Sequence, residues 1–208
     1  MKYRFQPQTD SSDRLGSRIA QICRSVSASQ PVPMIVCVGT DRSTGDSLGP
    51  LTGWHLKKQR VKAEVRGTLS SPVHASNLED CIEDLQHRGP IIAVDACLGA
   101  KRHVGTVSLC REPLRPGAGV NKDLPTIGDF HIAGTVNTSG FMEYHVLQNT
   151  RLSLVMSLAQ WIARGISCCL YELKAQKREK QPAGTELKTS LKRWHRQIAS
   201  TSTDKSDL

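Results

Sequence analysis

Aromatic side chains are scarce in this 208-residue chain, which has three each of Phe, Tyr and Trp. A hydrophobic core must therefore be built from Val, Ile, Leu and Ala. There is no run of about 18 apolar residues. Nor is there a signal-peptide pattern: Met1 to Asp10 is polar, and Pro33 to Val38 is too short and too internal. The expectation is a cytoplasmic protein without a membrane span. The seven cysteines (Cys23, Cys37, Cys81, Cys97, Cys110, Cys168 and Cys169) are odd in number and show no CxxC spacing. They read as reduced small hydrophobes, which excludes a zinc framework or a disulfide scaffold. The chain also lacks HExxH, HxxH and GxxxxGK[ST], so no compact metalloprotease or P-loop motif is present.

Acidic residues are outnumbered, 19 Asp and Glu against 28 Lys and Arg, giving a formal charge of +9. Such a balance invites a nucleic-acid reading. The basic residues, however, are spread along the chain and thicken only after Leu173, in KAQKREK and LKTSLKRWHR. Lys177 to Lys180 and Lys192 to Arg196 could touch an acidic partner. A solvated tail accounts for them more simply, and no nucleic-acid partner is expected.

Periodicity predicts a single α/β domain over residues 1–173, with its core at about 33–166, followed by a basic tail at 174–208 that is partly helical or disordered. Met1 to Asp10 reads as a loose leader, and Ser12 to Val26 as a helix with Leu15, Ile19 and Ile22 on one face. MIVCVG from Met34 is short and almost wholly apolar, as in a strand covered on both faces. The polar loop GTDRSTGDSLGP follows, with Asp46 or Ser47 placed to cap a helix bearing Leu48, Leu51, Trp54 and Leu56. Val61 to Gly67 reads as a strand, Ser76 and Glu79 as a capping box, and a helix runs to about Gln86. Strands are expected at Ile91, Val104 and Phe130. One long helix is expected from about Phe141 to Ile166, with Gly165 near its end. The aperiodic REPLRPGAGVNKDLPTIGD is long enough to be functional. In the tail, Leu187, Leu191, Trp194 and Ile198 have helical spacing.

A strand that runs straight into a polar loop places Asp41 and Asp46 outside the carboxyl end of the sheet, and Asp95 ends the Ile91 strand in the same way. If Asp46 and Asp95 approach each other, one stays protonated. One carboxyl can then activate water while the other protonates a departing amine. Both aspartates could equally serve as ordinary helix caps or strand-end acceptors. Adding His74 or His131 to the acids would give a divalent-metal site. Cys97 as a nucleophile and GTDRSTG as a phosphate loop are weaker readings, since no histidine neighbours the first and acids line the second. Glu143 and Arg151 could share a helix face, with Asn149 reaching toward Pro116 to Gly119.

The stretches CVGTDRSTGDSLGP, GTLSSPVHASNL, IIAVDACLG, PLRPGAGVNKDLP with IGD, and NTSGFMEYHVLQNTRLSLVM together resemble the YyaC family of sporulation proteins, over roughly Pro33 to Ile166. That family is similar to the germination protease of spore-forming Firmicutes, which degrades small acid-soluble spore proteins. It is more distantly similar to the hydrogenase maturation endopeptidases. The resemblance implies a three-layer α/β sandwich with a central, mostly parallel sheet, of the phosphorylase/hydrolase-like kind. It also implies an aspartic-type pair, with Asp46 in TGDSLGP and Asp95 in VDACLG. His74, Asn77, Asn137, Glu143 and Asn149 lie in the same stretches and, with Asp41, are the expected supports of site or substrate. In the hydrogenase enzymes a carboxylate that helps bind nickel follows the first aspartate, and here that residue is Ser47.

The expected function is therefore hydrolysis of a spore protein or peptide in the cytoplasm of sporulating cells. No cofactor is expected, and a divalent ion at Asp46, Asp95 and His131 is the open metal alternative. The chain is much shorter than the germination protease, so a second expectation stands beside the first: a protease fold kept as a binding scaffold.

Overall fold

The structure, a computed structural model, describes residues 1–85, 89–117 and 124–179. Met1–Leu173 form one compact unit, which carries the sheet, and a second unit begins at Lys174. The predicted tail helix at Leu187 to Ile198 and part of the PGAG loop lie outside the described residues.

Lys2–Phe5 is a strand, β1, where a loose leader was expected. Its sequence KYRF alternates charge with aromatic side chains, and Phe5 is buried. The helix α1 (Ser12–Val26) is capped by Ser11, whose hydroxyl accepts the Asp13 N–H, and it buries Leu15, Ile19, Ile22 and Cys23. The strand β2 (Met34–Cys37) leads through a 3-10 turn at Gly45–Ser47 into α2 (Leu48–Lys58).

The strand expected over Val61 to Gly67 shrinks to β3 (Val65–Arg66), because the backbone bends at Lys62 and Ala63 before it and turns at Gly67 after it, where φ is +78°. The capping box is not formed at α3 (Leu78–Glu83). Asn77 occupies the cap position, and its side-chain oxygen is already taken by the His74 N–H. The strand β4 (Ile91–Gly99) follows. Then β5 (Val107–Cys110) begins three residues later than Val104, after a turn at Gly105 with φ +87°. The strand β6 (Phe130–Thr138) completes the sheet.

The single long helix expected near the end is two helices, α4 (Glu143–Gln148) and α5 (Leu152–Glu179). They part at buried Thr150, and Asn137 donates to both Thr150 Oγ1 and the Val146 carbonyl, each at 3.2 Å. Glu143 and Arg151 therefore do not share a helix. Gly165 does not end α5. It lies under Leu15 of α1, where an added Cβ would come within 2.7 Å of that side chain.

The six strands stand in the order β1-β5-β6-β4-β2-β3, with β5 antiparallel to β6 and to β1 and the other pairings parallel. Only β5 runs against the rest, so the sheet is mixed and mostly parallel, flanked by helices. Alternation along β2 divides the core. Ile35 and Cys37 join a large cluster with α1, α2 and α5, while Met34 and Val36 join a smaller one with Leu78, Leu114 and Ile127.

All seven cysteines are free. By length and composition, Leu152–Gln176 of α5 could cross a membrane, with a mean hydropathy of 1.3. Its apolar stripe of Val155, Leu158, Ile162 and Ile166 is instead buried in the larger cluster of this fold.

Candidate functional site

Connections from β2 and β4 leave toward opposite sides of the sheet, β2 to edge strand β3 and β4 toward β5 and β6. Adjacent strands that diverge in this way open a crevice at their carboxyl ends. Asp46 follows β2, and Asp95 lies in β4 one residue beyond the last β2 pairing, Cys37↔Val94.

The loop after β2 is folded tightly back on itself. Gly39 has φ +139°, and a Cβ there would lie 2.1 Å from the Asp46 carbonyl oxygen, so only glycine fits. The Thr40 N–H donates to that same carbonyl at 3.2 Å, and the Gly39 N–H to the Val73 carbonyl at 2.8 Å. Asp46 sits inside the 3-10 turn and Ser47 at the cap position of α2, yet neither side chain caps the helix. The Ser47 hydroxyl instead donates to the Thr44 carbonyl at 2.7 Å. The Asp46 carboxylate is thereby left for the crevice.

Asp46 and Asp95 line one cavity of about 890 Å³. Its wall is assembled from Thr40, from His74 ahead of α3, from Asp95 to Leu98 of β4, from Glu112 to Gly117 after β5, from His131 and Ala133 of β6, and from Glu143, Tyr144 and Leu147 of α4. The register accounts for His131 and Asp95 facing the same way, since Ala93 pairs with His131 and Asp95 with Ala133. The loop after β5 is held by a two-way bridge between Leu114 and Ile127, with N–H to carbonyl distances of 2.9 and 3.0 Å.

The two carboxyls are electrostatically unequal. Burial is the main cause that pushes Asp95 up to about 8; repulsion from Asp46 adds to it, and the Ala96 N–H, 2.7 Å from Asp95 Oδ1, opposes it. Part of Asp95 faces the cavity, but protein surrounds it closely enough for desolvation to dominate. Asp46 is also raised by burial, with the Ser43 hydroxyl lowering it. That hydroxyl makes no hydrogen bond of acceptable geometry, so its influence on Asp46 is weak. Like-charge repulsion falls on whichever carboxyl ionises second, here Asp95. Burial thus raises both carboxyls, and Asp95 is raised the more strongly.

Of the other residues singled out from sequence, His74, His131 and Glu143 reach the cavity wall. His74 Nδ1 is buried without a partner. His131 Nδ1 lies 2.8 Å from the Glu112 carbonyl, which can only accept, so Nδ1 carries the proton. Asn77 does not line the cavity; it bonds the His74 N–H and the Pro72 carbonyl and so positions His74. Asn137 acts at one remove through α4. Asp41 is exposed, and Asn149 is exposed with its amide on the His145 carbonyl at 2.9 Å; neither reaches the cavity.

Cys97 Sγ pairs with Thr135 Oγ1 at 3.5 Å, and burial raises its thiol, which disfavours a nucleophilic thiolate. Among the described residues no three His, Cys, Asp or Glu side chains converge as a ligand set. Asp46, Asp95 and His131 thus share a cavity without forming one. Thr40, Glu112, Arg115 and Tyr144 were not anticipated as wall residues. Glu112 and Arg115 belong to the aperiodic stretch, whose length was their only signal.

The family model described as a protein of unknown function (DUF1256) matches residues 8–165. The uncharacterized protein YyaC of Bacillus subtilis (strain 168) is 58% identical over 144 residues, covering 67% of this chain and 70% of its own. Among solved structures, a [NiFe] hydrogenase maturation protease HycI from Thermococcus kodakarensis KOD1 aligns with a TM-score of 0.49 at 16% identity, over 72% of this chain and 99% of that one.

Proposed function

The chain belongs to the DUF1256 family of proteins of unknown function, and from that premise we propose that it is an aspartic-type hydrolase of peptide bonds in which Asp46 and Asp95 act as base and acid. The observation that carries this reading is the placement of the two carboxyls on one cavity wall at the crevice between β2 and β4, with burial raising both and Asp95 the more strongly. Ionised Asp46 takes a proton from water as the water oxygen bonds to the scissile carbonyl carbon. Protonated Asp95 gives its proton to the departing nitrogen as the C–N bond breaks. The proton held by Asp46 then leaves to solvent and Asp95 is reprotonated, restoring both groups. We propose further that the helices flanking the sheet make a three-layer, hydrolase-like sandwich.

The substrate class is a spore protein or peptide, and the setting is the cytoplasm of sporulating Firmicute cells. This rests on the likeness of TGDSLGP and VDACLG to the germination protease motifs. A nickel-dependent substrate is not proposed, because Ser47 stands where the hydrogenase enzymes carry a second carboxylate. The test is cleavage of an unfolded protein, such as casein, by the wild type, Asp46→Asn and Asp95→Asn. Each substitution is expected to lower turnover at least about a hundredfold with folding intact; turnover that survives both overturns the proposal. A second reading, a non-catalytic binding scaffold, is favoured by exposed Phe141, Met142 and Tyr144, the last of which lines the cavity. It predicts a stable partner recovered from sporulating cells and no hydrolysis.

A further inference from the structure

Four consecutive residues of β4, Asp95, Ala96, Cys97 and Leu98, line the cavity. A strand seen face-on offers every second residue to a pocket. Four in succession are offered when the hydrogen-bonding edge of the strand is open.

The register explains why this edge is open. The β2 strand pairs with β4 from Met34↔Ile91 to Cys37↔Val94 and adds one bond, from the Val38 N–H to the Val94 carbonyl at 2.7 Å. It then turns away at Gly39, whereas β4 continues to Gly99 with β6 on its other side. Backbone groups of alternate residues point the same way across a strand. Those of Ala96 and Leu98 therefore follow Val94 toward the side that β2 has left, the register shift between Cys97 and Leu98 being taken up by the extra residue Val136 on β6. Among the described residues no strand continues there. The Ala96 N–H is met only by the carboxylate of its own neighbour, at 2.7 Å.

We propose that this edge is a substrate groove in which an extended polypeptide adds alongside Ala96 to Leu98 as a further strand, carrying its backbone across Asp46 and Asp95. The hydrolase reading supplies the reaction at this groove, while the strand addition stands on the register alone. An alternating row of main-chain donors and acceptors is matched by another main chain, which gives affinity with little dependence on sequence.

Side chains of the added strand would meet Leu114, Tyr144 and Leu147, the apolar part of the wall. Phe141 and Met142, which precede Glu143 and Tyr144 in the chain, are 90% and 52% exposed. Met142 is held in the left-handed region at φ +58°, a conformation that a long side chain rarely adopts. An incoming carbonyl that takes the Ala96 N–H also removes the one bond that favours ionised Asp95. Binding would thus keep the acid protonated.

The test separates binding from turnover. A random decapeptide library is panned on full-length Asp46→Asn protein, and the tightest peptide is resynthesised with single N-methyl groups at successive positions. Each N-methyl deletes one N–H and leaves the side chain unchanged. Affinity should fall about three- to tenfold at alternate positions and hold at those between. Losses without a two-residue period, or no peptide retained at all, overturn the proposal. The wild type is then given the same peptide. Alternation without cleavage removes the hydrolase reading and leaves the groove, while cleavage without alternation does the reverse.

Discussion

Replacing Asp95 with Asn should make the protein more stable in alkaline solution and leave it nearly unchanged in acid. The Asp95 carboxyl has an ordinary value of 3.8 and is pushed up to about 8 in the folded chain, first by burial and then by Asp46. The folded state thus holds this proton more tightly than the unfolded state does. Stability contributed by Asp95 is full below pH 3.8, declines as pH rises from there to about 8, and is level above. That interval, at about 1.4 kcal/mol per pH unit, sets a ceiling of about 5 to 6 kcal/mol. Because part of Asp95 faces the cavity, where solvent and side chains relax around a charge, the expected loss is about 2 to 4 kcal/mol.

Asparagine has the same shape, keeps an oxygen for the Ala96 N–H, and carries no charge. Urea unfolding of wild type and Asp95→Asn at pH 4, 6 and 8.5 therefore isolates the effect, since every other titrating group is shared. With an m-value near about 2 kcal/mol/M, the midpoint of the variant should move about 1 to 2 M above that of the wild type by pH 8.5. A difference that stays constant from pH 4 to 8.5, or one that grows in favour of the wild type, would refute the reasoning.

Three further outcomes follow from neighbouring contacts. In Asp46→Asn the titration midpoint of Asp95, followed by carboxyl carbon NMR, should fall only modestly, because burial outweighs the charge removed. Gly16→Ala should lower stability by about 1 to 3 kcal/mol, read as a fall in Tm. A methyl group there would lie 2.7 Å from both Cys168 Cβ and the Gly165 carbonyl oxygen, where α1 and α5 cross. Asn137→Ala should cost about 1 to 3 kcal/mol and speed hydrogen exchange in α4 more than in β4, because Val146 and Thr150 lose a shared donor.

Much of the sheet was legible because its inner strands are short apolar runs, and MIVC and IIAV admit few alternatives at that length. The edge strand KYRF was missed because an N-terminal polar segment has no signal except its alternation, which is too brief to weigh against a leader. The long helix was misread because Leu147 and Leu154 keep helical phase across a break that depends on Asn137, distant in sequence, reaching Thr150. At the site, Asp46 could be placed in the loop after its strand, since a strand passing straight into a polar loop has few other geometries, whereas Asp95, expected to end its strand, lies in mid-strand because β4 runs on to Gly99 alongside β6. The wall residues Glu112 and Arg115 could not, as an aperiodic loop does not announce which of its side chains turn inward. The cap expected of Asp46 or Ser47 failed for a local reason: the 3-10 turn ahead of α2 takes the Ser47 hydroxyl for the Thr44 carbonyl.

One event, the early departure of β2 at Gly39, accounts for two features of the cavity. It supplies the loop that carries Asp46, and it leaves the edge of β4 open from Ala96 onward. A residue kept for the sake of the fold should lose stability when replaced, yet the electrostatics here predict a gain for Asn at position 95 above pH 8. If that gain is measured, stability cannot be what requires an ionisable group at this position. The requirement then falls on the chemistry of the proton itself, which Asn cannot supply. The opposite result would make Asp95 an acceptor for the Ala96 N–H, kept for the fold, and the open edge of β4 would have to stand as a binding groove without it.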